Sequence, residues 1–421
     1  MRRANFPIHR PMQNTVRGGP RSEPPGRVLR HRGTGTADPT QQTPHTGQLM
    51  EILTIMLGLV MLGGLLIVPA LLRMRGSRQA AEAAGPAATE GYGFVAPERL
   101  DVRLPGPDRE LADTLAEIRS TQDWEPAARL LALTGDAWEL RWQRVQTLAG
   151  AAAVEQLLDP REGGRWLRAW RLESPKDAGG AAVHAEFLVR QARQTQAGSG
   201  SDEYRIILEE ARSVCESAAL LAPGDPTPYI VRLAVETGLG CRPADFEELW
   251  GTVARRAPDH MGAHISALNY WCQKWHGSKE LAEEFTHGAA ATATGKSLLP
   301  ALPLFAVFEH LPELNVVRGL FQGAVIGRAI EGALFAARTA PADHPMMPHV
   351  RHLLIWFLVR AERYAEAMEQ LRHVDGHVGA VPWSYGPDPA AAYTAYRTLA
   401  VAGWEDQGGT PATLPGRGPQ V

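Results

Sequence analysis

His260 and His264 stand four residues apart, the spacing that places two side chains on one helix face. His373 and His377 repeat it, and His344, His349 and His352 form a looser group. Imidazoles so placed could hold a metal or relay protons. A zinc site needs three or four converging ligands with carboxylates oriented behind them. No His-Glu-x-x-His occurs, and His373 and His377 straddle Asp375 and Gly376, where a helix should already have ended. The residues therefore favour isolated histidines at the edges of helical pairs. No metal ligand, cofactor ligand or catalytic residue is assigned.

Other chemistry is equally thin. There is no Gly-x-Ser-x-Gly, no Walker loop and no dinucleotide fingerprint. Glu247 with Glu248, and Glu283 with Glu284, read as solvated helix faces. Cys215, Cys241 and Cys272 are far apart, so they suggest neither zinc nor a disulfide framework; buried small apolar thiols fit better. The chain holds eleven tryptophans, and three pairs (Trp138 and Trp142, Trp166 and Trp170, Trp271 and Trp275) are four residues apart. Such pairs could grip an aromatic or proline-rich ligand, but filling gaps between helix layers is the expected role.

The elements that must position these residues are helices. After residue 95 the apolar residues recur with a 3.6-residue period rather than alternating. Phe246, Leu249, Trp250 and Val253 form one stripe; Met261, Ile265, Leu268, Cys272 and Trp275 form the next; Leu281, Phe285 and Ala289 continue it. Asp225-Pro226 and Asp388-Pro389 look like N-caps followed by proline at the first helical position, Pro243 opens a helix, and Gly238 and Gly240 end one. Links of two to five residues make neighbouring helices antiparallel.

A repeat emerges from these marks. Ala222-Pro223-Gly224-Asp225 and Ala257-Pro258-Asp259 precede helix pairs 35 residues apart, and Ala340-Pro341-Ala342-Asp343 precedes a third pair near 348–359 and 363–373. The last interval, 83 residues, requires an insertion. Trp124 to Gly135, then Trp138 to Trp142, read as an earlier pair. Lys274-Trp275-His276-Gly277-Ser278 reads as a tight turn with Ser278 capping the next helix. The period, the Ala-Pro-x-Asp links and the run from Tyr364 to Leu371 resemble tetratricopeptide repeats. With the Lys-Trp-x-Gly-Ser turn, residues 107–375 resemble an uncharacterised bacterial domain-of-unknown-function family with tetratricopeptide-like helical repeats. The resemblance implies a fold and no reaction or ligand.

Two segments interrupt the pattern. Gly319, Gly323 and Gly327 form GxxxGxxxG in a helix expected over 317–337. Arg318, Arg328 and Glu331 argue against a membrane span there, so close helix packing is the expected reason. Residues 298–308 are apolar, with Pro300 and Pro303, and read as a buried connection.

Upstream lies one strong signal. Residues 52–72, from Ile52 to Leu72, carry no charge and are almost all aliphatic, closed by Arg73 and Arg75. At about 1.5 Å per residue this helix spans the ~30 Å hydrocarbon layer. It is too long for a signal-peptide core and lacks a preceding positive cluster. Gly58, Gly63 and Gly64 make no GxxxG pair. Arg73, Arg75 and Arg78 place the C-terminal domain in the cytoplasm by the positive-inside rule. Residues 1–49 hold eight Arg against Glu23 and Asp38 and read as a disordered tail, and Met50 offers an alternative start. That tail carries +6 of a chain whose total is −3, which leaves an acidic remainder unsuited to nucleic acid.

The expectation is an all-α chain: tail 1–49, transmembrane helix 50–75, linker 76–96, stacked antiparallel helical hairpins over 97–404, and a disordered tail 405–421. Such a single-pass protein would bind a protein or peptide partner along a concave groove, without catalysis and without a cofactor. The alternatives are an enzyme with a histidine-containing cleft in the helical domain, and a secreted binding protein that loses residues 50–90.

Overall fold

The computed structural model describes residues 91–195, 200–312 and 319–414. They are all-α, with fifteen α-helices and no strand among the described residues; Asp101 and His377 make one isolated parallel bridge. No helix among the described residues is long and apolar enough to cross a membrane, and the apolar run 52–72 lies outside them. The helices are α1 (Arg109–Thr121), α2 (Glu125–Thr134), α3 (Trp138–Leu158), α4 (Arg165–Glu173) and α5 (Ala178–Gln194). Next come α6 (Asp202–Leu221), α7 (Thr227–Leu239), α8 (Pro243–Arg256), α9 (Met261–Trp271) and α10 (Lys279–Thr292). The last five are α11 (Leu302–Glu309), α12 (Ala324–Thr339), α13 (Met347–Arg360), α14 (Tyr364–Val374) and α15 (Pro389–Asp406).

Local chemistry sets the boundaries. Side chains of Asp108, Asp177, Ser201, Ser278 and Asp388 accept from backbone N–H groups in the first turns of α1, α5, α6, α10 and α15. Pro243 and Pro389 stand at first helical positions, where a missing N–H costs nothing. Gly240 closes α7 in the left-handed region, at φ 71°. The Ala-Pro links share a role: Ala222, Ala257 and Ala340 end α6, α8 and α12. The first two adopt nearly the same backbone, φ/ψ −137/78° and −146/72°. Between the second and third links lie α9, α10, a short 3-10 turn at Leu299–Ala301, α11 and α12, which accounts for the long interval.

Most helices pack on the next in sequence, and the odd-numbered helices also pack on one another: α3 on α5, α5 on α7, α7 on α9, α9 on α11, and α13 on α15. The core follows this order as four apolar clusters. Leu111, Leu131, Leu148, Trp166 and Trp170 lead the first, and Val189, Leu208 and Val235 belong to the second. Ile230, Phe246 and Tyr270 belong to the third, and Leu268, Phe305, Leu353, Leu371 and Tyr393 to the fourth. Helices α5, α7 and α9 each contribute to two clusters, so burial is handed along the chain. Burying each large side chain stabilises by roughly 1.5–3 kcal/mol.

The arrangement departs from units that touch only their neighbours. Helix α3 also packs on α7 and α9, well beyond its neighbours in sequence. The segment before α1 does the same at the far end. Asp101 N–H donates to Gly376 O at 2.8 Å, Val378 N–H donates to Asp101 O at 2.8 Å, and Gly379 N–H donates to Leu104 O at 2.9 Å. Arg397 of α15 donates to Val95 O at 2.7 Å and to Asp375 at 3.0 Å. Helix α15 runs to Asp406, residues 407–414 follow as turns, and Tyr92 donates to Glu405 at 2.9 Å.

Two expectations need correction. The glycine series does not lie on one helix: Gly319 is in a left-handed turn, Leu320–Gln322 is a 3-10 turn, and Gly323 caps α12. Gly327 has open space around its missing side chain, and the close approach occurs instead at Gly332, where a Cβ would stand 2.6 Å from Pro300 O. On α10 the buried face is Ala282 and Thr286, with Phe285 beside them, whereas Leu281 points outward. Ser278 Oγ accepts from Leu281 N–H at 3.2 Å, which fixes where the helix starts.

Candidate functional site

The odd-numbered helices enclose a cleft of about 350 Å³. Its walls come from α3 (Trp142, Gln146), α5 (Glu186, Val189, Arg193), α7 (Ile230, Val231, Ala234), α9 (Ile265, Ser266, Asn269) and α11 (Phe305, Phe308, Glu309). Tyr204 and Leu208 of α6, the Lys274-Trp275 turn, Met346, His349 and Tyr385 complete it. Leu208, Ile230, Val231 and Met346 are buried and make an apolar floor, while Arg193, Lys274 and Tyr385 are exposed and mark the mouth. A concave, mostly apolar site with a few polar groups has the character of a ligand site.

The charges at the cleft are unequally engaged. Glu186 pairs with Arg190 at 3.0 Å, and Arg190 also donates to Gln146 at 2.9 Å. Glu309 pairs with Lys274 and accepts from the Tyr385 hydroxyl at 3.3 Å. Partial desolvation at the cleft mouth and the Glu309 charge push the Tyr385 phenol up. Arg193 has no hydrogen-bond or ion-pair partner among the described residues. The Tyr204 hydroxyl is likewise unpartnered, and burial raises its pKa against the opposing pull of the Arg193 charge. Burial takes His349 down to about 4, so its ring is neutral near pH 7.

The expected histidine groups do come near a carboxylate, Glu139, which is not itself among the residues lining the cleft. Glu139, in the first turn of α3, accepts from Met261 N–H at 2.9 Å and Gly262 N–H at 2.7 Å, and its Oε1 lies 3.0 Å from His260 Nδ1. His344 Nε2 stands 3.9 Å from the same carboxylate. Burial acts to raise the Glu139 carboxyl, but His260, the Gly262 N–H and His344 outweigh it and hold it below the ordinary value. His260 Nδ1 is also 3.1 Å from Ala263 N, so the bond to the carboxylate and the cap compete for one nitrogen. The charge-assisted bond is the stronger, which assigns the proton to Nδ1 and leaves the buried Nε2 unpartnered. Every Glu139 oxygen is thus engaged with the start of α9. It is a clamp between two helices rather than a free base.

The remaining histidines scatter. His264 bonds the His260 carbonyl at 3.0 Å and meets the Trp250 ring edge to face, and burial lowers its pKa. His352 is fully buried between Pro105 O at 3.1 Å and Trp383 Nε1 at 2.9 Å, its pKa driven down to about 3. His373 ends α14, and His377 lies beyond it after Gly376, at φ 105°. No group of three or more His, Cys, Asp or Glu among the described residues could hold a metal.

The tryptophans divide. Trp166 and Trp170 are core, and Trp170 stacks on Trp124 with ring centroids 5.8 Å apart. Trp271 packs on Phe246 and Tyr270, whereas Trp142 and Trp275 face the cleft. All three cysteines are free thiols, and burial raises them, Cys241 to about 11 and Cys272 to about 12, so they are not poised nucleophiles. Arg193, Tyr204 and Glu139 gave no sequence signal, because each is a single polar residue on an amphipathic helix. What sets Arg193 apart is its place in the cleft without a charge partner among the described residues, and that is visible only once the helices are in place. No protein-family model, curated protein or solved structure matches the chain.

Proposed function

We propose that this chain is a tetratricopeptide-like helical-repeat binding protein that receives a short peptide of a partner in its concave cleft, tethered to a membrane by residues 52–72. One observation carries the reading: inward-facing helices from across the chain wall a cleft of about 350 Å³ with an apolar floor and a charged mouth. That volume suits a few side chains rather than a long strand of peptide. The carboxylate nearest the histidines is engaged in capping α9, which supports recognition over acid–base chemistry at that carboxylate.

The test is a steric block. Ala234 lines the cleft from α7 and is half-buried, so Ala234→Trp fills it from one side. Full-length protein should retain peptides from a mixed-sequence library, and the variant should lose them while keeping its helical circular dichroism. Equal retention by both proteins would rule out the cleft as the site.

A further inference from the structure

The polar groups at the cleft are mismatched in a way that specifies a ligand. Arg193 at the end of α5 presents a guanidinium with no ion-pair partner among the described residues. Tyr204 is only 6% exposed, and its hydroxyl makes no hydrogen bond among the described residues. Both line the cleft, and the two are near enough for the Arg193 charge to act on the phenol. Trp142 Nε1, contributed by α3, is a buried donor with no acceptor among the described residues. The acids cannot supply one, because Glu186 is held by Arg190 and Glu309 by Lys274 and Tyr385. With both acids paired, the Arg193 charge is left without a counterion among the described residues that line the cleft. Leaving a buried donor unpaired is costly, and a ligand acceptor would recover that cost.

The apolar floor fixes the rest of the ligand. Val189, Leu208, Val231, Ile265 and Phe305 surround the space below Arg193 with no free acid among them. We propose that the cleft recognises a carboxylate carried on an apolar body, with Arg193 and Tyr204 holding the carboxylate at the mouth and the apolar part filling the floor. Arginine is suited to this because its planar fork meets both carboxylate oxygens. The source of that carboxylate is a peptide's free C-terminus or a small organic acid. The first rests on the proposed peptide-binding function, and the second does not.

The experiment separates them. Immobilised full-length protein is offered a mixed-sequence tetrapeptide library, half with free carboxyl ends and half amidated. 4-Phenylbutyrate is titrated in parallel, followed by the change in intrinsic tryptophan fluorescence, to which Trp142 and Trp275 of the cleft contribute. Free-acid peptides should be retained over amides by at least about tenfold, as expected for a hydrogen bond to a charged group. Arg193→Gln should abolish that preference with only a small change in Tm, since Arg193 makes no hydrogen bond or ion pair among the described residues and adds only a favourable charge at the end of α5. Tyr204→Phe should weaken free-acid binding several-fold while Tm holds or rises, because it removes an unpartnered hydroxyl; a merely structural tyrosine would show the reverse. Equal retention of acids and amides would overturn the carboxylate inference and leave the peptide reading standing. Saturable binding of phenylbutyrate alone, sensitive to Arg193→Gln, would support the inference and overturn the peptide reading. Binding of neither probe overturns both.

Discussion

The Glu139 carboxylate accepts the Met261 backbone N–H at 2.9 Å although 122 residues separate them. Helix α9 therefore starts where α3 permits. Four N–H groups at a helix start have no partner within the helix, and here two are taken by a side chain from another element. Glu139→Ala should cost about 3 kcal/mol and Glu139→Gln somewhat less, measured by urea unfolding. A loss under about 1 kcal/mol for Glu139→Ala would mean that water or another side chain already caps α9.

Acid should destabilise the fold from near pH 6.5 downward. Burial holds His349 down to about 4 and His352 to about 3. Their folded values lie below the unfolded one, so the unfolded chain takes up protons first as pH falls. Stability is intact above about pH 6.5 and falls toward pH 4, each site contributing up to about 1.4 kcal/mol per pH unit. Glu139 adds to this lower down, since its depressed carboxyl stabilises above the ordinary carboxylate value and that contribution is lost as pH falls through the folded one. Unfolding midpoints between pH 8 and 4 check the slope. A flat profile would show that these imidazoles reach water.

Arg144 ties three elements at once. It is 4% exposed, donates to both Asp108 oxygens at 2.9 and 3.0 Å, to Glu110 at 2.7 Å and to Thr134 at 2.8 Å. Asp108 in turn caps α1. Arg144→Met leaves that carboxylate without its partner and should destabilise by about 3–5 kcal/mol. Arg144→Met combined with Asp108→Ser should recover part of the loss, because serine still caps and carries no charge; a double variant no more stable than the single one would point to lost packing instead.

Gly180 allows α5 to lie against Trp170. A Cβ there would stand 2.8 Å from the indole ring. Gly180→Ala should cost about 1–3 kcal/mol by overpacking, even though alanine favours helix. Pairing it with Trp170→Phe should be less costly than the sum of the two, as thermal unfolding would show.

Much of the architecture was legible because helix boundaries are local. Asp388, Pro243, Ser278 and Gly240 act through neighbours within four residues, and the stripe of Phe246 and Val253 needs only a period. The glycine series misled because a spacing of four was read as helix, while Gly319 adopts φ 79°, a conformation that ends helical order. The cleft was not legible at all. Arg193 looks like an ordinary cation favouring a helix C-terminus, and Glu139 looks like an ordinary anion favouring an N-terminus. Their distinction, an absent partner for one and a distant partner for the other, is decided by helices that meet only after the chain has curled.

The strap formed by residues 91–106 has a mechanical meaning. Its hydrogen bonds at Val95 and Asp101 reach Asp375, Gly376, Val378 and Arg397. A pull applied upstream of residue 91 is delivered first to α15 and the turn before it, in shear, rather than to α1. Force would thus unlatch the strap from the C-terminal helices before it unwound any helix.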